Sequence, residues 1–60
     1  MFKLIDLYQS NDNDIQDIKV LKEGEFSIIN DKQYDECKEF FVLKWFIDAE
    51  MNLCVSLKEE

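Results

Sequence analysis

Apolar and polar residues fall in short blocks along this chain, and the blocks predict mostly β structure. From Phe2 to Tyr8 the alternation is partial. Phe2, Leu4 and Tyr8 would share one face of a strand and Ile5 and Leu7 the other, so the segment reads as a strand. Gln9 to Asp14 is wholly polar and reads as a loop. Asp17 to Asn30 reads as a hairpin turning at Glu23-Gly24, where the only glycine supplies the positive φ a two-residue turn requires. That register sets Lys22 opposite Glu25, Leu21 opposite Phe26 and Ile18 opposite Ile29, one charge pair and two apolar pairs. The competing reading is a helix over Asp14 to Glu23, capped by Asp14 and ended by Gly24. Asn30 to Glu39 is polar. It reads either as a loop or as one or two helical turns capped by Asn30 or Asp31.

The segment Phe40 to Lys58 carries the strongest pattern. Phe40 to Ile47 is rich in aromatic and β-branched residues, and Met51 to Lys58 alternates. A hairpin through the loop Asp48-Ala49-Glu50 sets Ile47 opposite Met51, Trp45 opposite Leu53, Leu43 opposite Val55 and Phe41 opposite Leu57. A one-residue slip would scatter that set between the faces. The weakness of this loop is that none of its residues is the glycine such turns favour. The opposite face would then hold Phe40, Val42 and Phe46 around Lys44. In a small antiparallel sheet that second face usually meets water, and a contiguous apolar cluster there marks an interface. A closed barrel or a covering helix would instead make it a second small core. The fold expected for residues 1–60 is a single, mostly β domain: a small antiparallel sheet or SH3-like barrel of about five strands. The alternative is α+β, with one short helix in 31–41.

Composition narrows the functional classes. The 60 residues hold fourteen carboxylates against seven lysines, with no arginine, histidine or proline, for a net charge of −7. The chain is too apolar, at 47%, for a disordered acidic tail. Its apolar runs are far shorter than the roughly 20 residues of a membrane-spanning helix. Met1 to Asp6 lacks the basic start and apolar core of a secretory signal. Two cysteines, Cys37 and Cys54, are too few for the disulfide framework of a small secreted domain and read as free thiols. A cytoplasmic protein, with no membrane association, is the expectation.

Candidate chemistry is sparse. Without histidine the usual near-neutral acid–base group and commonest metal ligand is missing, and without arginine so is bidentate phosphate recognition. Direct nucleic-acid binding is opposed by the charge. Asp12, Asp14, Gln16 and Glu23 can be laid on a calcium-loop template, but Asp17 stands where the sharp turn requires glycine. Cys37 and Cys54 lie too far apart to form a zinc pair. Cys37 also sits among Asp35, Glu36 and Glu39, whose field disfavours a thiolate. No cofactor, metal site or catalytic residue is expected, and the chain is not read as an enzyme.

Two clusters of carboxylates remain: Asp31, Asp35, Glu36 and Glu39 in one segment, and Asp12, Asp14 and Asp17 in another. An acidic surface can imitate a phosphate backbone and occupy a basic groove, by the field complementarity that steers association. The sequence therefore suggests a non-catalytic acidic binding protein: a phage or mobile-element inhibitor or regulator that occupies a basic surface of a host nucleic-acid-processing protein. The alternative is a homo-oligomeric structural or accessory protein, a homodimer through its Phe40/Val42/Phe46 face.

Overall fold

The computed structural model describes residues 2–11 and 14–58. Its elements run α1 (Leu4–Asn11), β1 (Ile18–Lys22), β2 (Glu25–Ile28), α2 (Asp31–Cys37), β3 (Phe41–Ile47) and β4 (Leu53–Lys58). The strands form one mixed sheet in the order β2-β1-β4-β3. The outer pairs are antiparallel hairpins, and the central pair, β1 with β4, is parallel. The expected five-stranded antiparallel sheet or barrel is therefore corrected to an open four-stranded sheet with two helices. The α+β alternative, with a helix in 31–41, comes closer.

The first correction lies at the start of the chain, where the expected strand is helix α1. Leu4, Leu7 and Tyr8 fit a helical stripe as well as they fit an alternation, and the segment has only one β-branched residue, Ile5. Tertiary contacts decide between the two. The first turn of a helix has N–H groups without intrahelical acceptors. Here the Leu4 N–H donates to the Phe40 carbonyl and the Ile5 N–H to the Lys38 carbonyl, both at 2.9 Å. At the other end the Asn11 side chain donates to the Leu7 carbonyl at 3.0 Å. Leu4 and Leu7 are buried.

The first hairpin has the register read from the sequence: Lys22 faces Glu25 and Leu21 faces Phe26. The competing helix over 14–23 is absent. Both turn residues are left-handed, Glu23 at φ 51° and Gly24 at φ 84°, the pairing a tight hairpin turn requires. Glutamate is poorly suited to that conformation and asparagine tolerates it. Glu23→Asn is therefore expected to stabilise the fold by about 0.5–1 kcal/mol, measured as a rise in urea midpoint without change of slope.

Helix α2 is legible in its cap. The Asn30 side chain accepts from the Gln33 N–H at 2.8 Å, and the Gln33 side chain accepts from the Asn30 N–H at 2.9 Å. This reciprocal box starts a helix in a segment with no buried residue.

The second hairpin departs from the expected register. Ile47 faces Leu53 and Trp45 faces Val55, a slide of two residues that preserves the faces. A bulge between Val42 and Lys44 then shifts the pairing so that Val42 faces Leu57. The extra residue, Leu43, turns Val42 inward and leaves Phe41 and Leu43 exposed. Met51 supplies the left-handed residue of the loop, at φ 65°. Trp45, expected in the core, is exposed on the outer strand.

The core packs Leu4 and Leu7 of α1 against Ile18, Val20, Val42, Leu53 and Val55 of the sheet. Tyr34 and Cys37 of α2 join from the same side. Both helices therefore cover one face of the sheet, and the other face is left bare.

Candidate interaction surfaces

Strand pairing defines the bare face. One row across the sheet runs Ile28, Lys19, Cys54, Phe46, and the next holds the pairs Phe26–Leu21 and Ser56–Lys44, which line one depression. Phe26 and Phe46 reach across the two central strands and meet edge to face, ring centroids 5.4 Å apart. Cys54 lies beneath them, buried. With Leu21, Leu43 and Lys44 the pair lines a shallow apolar depression of about 300 Å³. Leu21, Phe26, Ile28, Leu43 and Phe46 are each between 36% and 56% exposed, so this is a continuous apolar patch.

The apolar face read from the sequence is only partly this one. Phe46 and Lys44 lie on it. Val42 does not: the bulge turns it into the core. Phe40 does not either, because it is half-buried in the connection before β3, on a cleft shared with Val20, Cys37 and Leu57. The four residues share no surface. Leu21, Phe26 and Ile28 take the missing places. Their alternation with Glu25 and Ser27 was a usable signal, since the register of the first hairpin already set Leu21 beside Phe26.

The carboxylate clusters are brought together in part. Asp17, just before β1, and Asp31, at the start of α2, line one cleft of about 310 Å³ together with Tyr8 and Tyr34. The two rings are 5.4 Å apart and tilted. Burial, with Tyr8 adding to it, raises the Tyr34 hydroxyl above its ordinary pKa. Asp14, Asp35, Glu36 and Glu39 are exposed. Asp35 pairs with Lys38 at 2.7 Å and Glu39 with Lys3 at 3.0 Å. Asp14, Asp17, Asp31 and Glu36 have no ion pair among the described residues. Asp12 lies outside the described residues. The calcium template does not survive, because β1 occupies the stretch it would need as loop.

Asp48, read from the sequence only as a loop residue, is the best-connected carboxylate among the described residues. One oxygen accepts from the backbone N–H groups of Glu50 and Asn52, at 2.9 and 2.8 Å. The other accepts from the Asn52 amide at 3.1 Å and from Lys19 at 3.3 Å. The Asn52 N–H leads in holding its pKa down at about 2, against the opposing effect of desolvation. Asp48 ties the β3–β4 loop to β1 at the end of the bare face. The sign of its pH effect follows. A carboxylate whose pKa is depressed by folding stabilises the fold above its unfolded pKa and loses that contribution as pH falls through the folded one. The urea midpoint of the native chain is expected to exceed that of Asp48→Asn by a constant margin above pH 5. The margin should shrink between pH 4 and pH 2, and a pH-independent margin would contradict the assignment.

Both cysteines are free thiols. Cys37 is raised above its ordinary pKa, but burial is the main cause. Lys22 opposes it, and of the acidic neighbours named from the sequence Glu36 contributes. Cys54 is raised by burial and by Asp48. Neither has the lowered pKa of a reactive thiolate. Among the described residues no group of three or more Cys, Asp or Glu side chains is arranged to hold a metal ion. No described helix is long and apolar enough to cross a membrane. No family model, no curated protein and no solved structure matches this chain.

Proposed function

We propose that this chain is a non-catalytic, cytoplasmic binding protein that sets a carboxylate surface against a basic surface of a protein partner. A nucleic-acid-processing protein is the partner whose groove best suits it, and the role is that of a phage or mobile-element inhibitor or regulator. The observation that carries the reading is the meeting of Asp17 and Asp31 in one tyrosine-lined cleft. Two acidic segments distant in sequence meet there, each through one carboxylate. A lysine or arginine entering the cleft would lay its apolar stem on Tyr8 and Tyr34 and its charge between the two carboxylates. The net charge of −7 steers such a partner from a distance.

The test begins with capture of partners on the immobilised chain at 0.05 M NaCl from cells of its source. Affinity for the purified captured protein is then measured at rising salt. Affinity should fall at least about tenfold between 0.05 and 0.5 M NaCl. The Asp17→Lys/Asp31→Lys variant, folded by circular dichroism, should lose binding, and duplex DNA should compete with the native chain. Salt-insensitive binding, an unaffected variant or simultaneous binding of DNA would each overturn the proposal.

A further inference from the structure

The geometry points to a second copy of this chain as the occupant of the bare sheet face, giving a dimer in which two sheets stack face to face between outer layers of helices. This inference is independent of the acidic surface, which lies on the helical side. Three observations carry it.

The first is charge. None of the eight side chains in the two rows of the bare face is a carboxylate, although the chain has fourteen. Lys19 is neutralised by Asp48 at the rim, and Lys44 is the only charge in the upper row. Two copies at −7 repel each other, and a carboxylate-free face is where they can approach. A basic partner, which the rest of the surface suits, would gain no ion pair from the middle of this one.

The second is area. A whole leucine- or phenylalanine-sized side chain exposes about 200 Å². The five apolar side chains therefore leave roughly 450 Å² uncovered, the size of the largest, often functional, patch on a monomer. With the stems of Lys19 and Lys44 and the strand edges, the face comes to about 600 Å², the low end of what each partner gives to a specific interface. A 60-residue domain with seven apolar residues in its buried core is also of the size that commonly needs oligomerisation.

The third is self-complementarity. Sheets stack about 10 Å apart with their strands nearly aligned. A two-fold axis running along the strands, between the sheets, sets β2 of one copy over β3 of the other. Phe46 then covers Ile28 of the second copy. Lys44 lies over Phe26 of the second copy, near the turn that carries Glu23. The Phe26–Phe46 pair, already in contact within each copy, is the aromatic centre of such an interface.

The experiment is sedimentation equilibrium of the full chain at 0.15 and 1 M NaCl, with isotope-filtered NMR of a mixture of labelled and unlabelled protein. A dimer is expected, as tight or tighter at high salt because the repulsion is screened. Intermolecular contacts should map to Leu21, Phe26, Ile28 and Phe46. Phe26→Ser/Phe46→Ser should raise the dissociation constant about 100-fold or more. If that variant does not fold, the NMR contacts of the native chain decide alone. A monomer up to 0.5 mM at both salts, contacts mapping elsewhere, or a folded double variant that dimerises as the native chain does would each overturn the inference.

Discussion

Leu53→Ala is expected to leave the protein largely unfolded at room temperature. Leu53 is fully buried at the start of β4, set between Ile18 on β1 and Ile47 on β3. Its N–H donates to the Asp17 carbonyl at 2.9 Å, so its backbone is held where it is. Leucine-to-alanine changes at such sites cost about 3–5 kcal/mol, and more when the surroundings cannot collapse into the cavity. Here the neighbours are paired strands whose positions the sheet fixes. Against this, a 60-residue domain commands only about 3–9 kcal/mol in total. Thermal melts by circular dichroism and urea titration check the expectation. A drop of only a few degrees would mean that Leu53 is not in the core.

The second large effect is a contrast between neighbours. Val42→Asp should prevent folding, whereas Leu43→Asp should leave a folded chain. In an ordinary strand adjacent side chains point to opposite faces, so such a contrast alone says little. What is specific is which of the two is inside. The register read from the sequence places Leu43 in the core and Val42 outside. The bulge reverses them: Val42 is 7% exposed and Leu43 53%. A carboxylate at Val42 would be buried among apolar side chains without a partner, at a cost of several kcal/mol. At Leu43 it would stay hydrated and cost roughly 1 kcal/mol or less. The reverse outcome would remove the bulge and restore the expected register.

How far the candidate surfaces were legible depends on where their determinants lie. The acidic segments were visible as composition, but the meeting of Asp17 and Asp31 required α2 to pack beside the end of α1. The bare face was half visible. Phe46 and Lys44 follow from the alternation of β3. Leu21, Phe26 and Ile28 join them only because β1 pairs with β4, across some thirty intervening residues. The Asp48 node was invisible for the same reason, since Lys19 comes from the other hairpin.

By itself the sequence determined what is local. The Glu23-Gly24 turn and its register follow from glycine and from the apolar pairs beside it. For α2 the sequence offered Asn30 or Asp31 as a cap beside a loop, and the Asn30–Gln33 box is what the structure adds; the faces of the lower part of β3 and β4 follow from their period of two. These depend on neighbours a few residues apart, so the chain states them directly. Tertiary structure decided the rest. Phe2 to Tyr8 could satisfy a strand or a helix, and the carbonyls of Lys38 and Phe40, accepting the first N–H groups of α1, chose the helix. Val42 and Leu43 are both apolar and either could be buried. The N-terminal segment, pairing at Lys3 with Phe41 and accepting the Val42 N–H at the Phe2 carbonyl, holds the upper end of β3 beyond the bulge. A pattern of apolar residues says that a side chain wants cover. Only the packed molecule says which surface provides it.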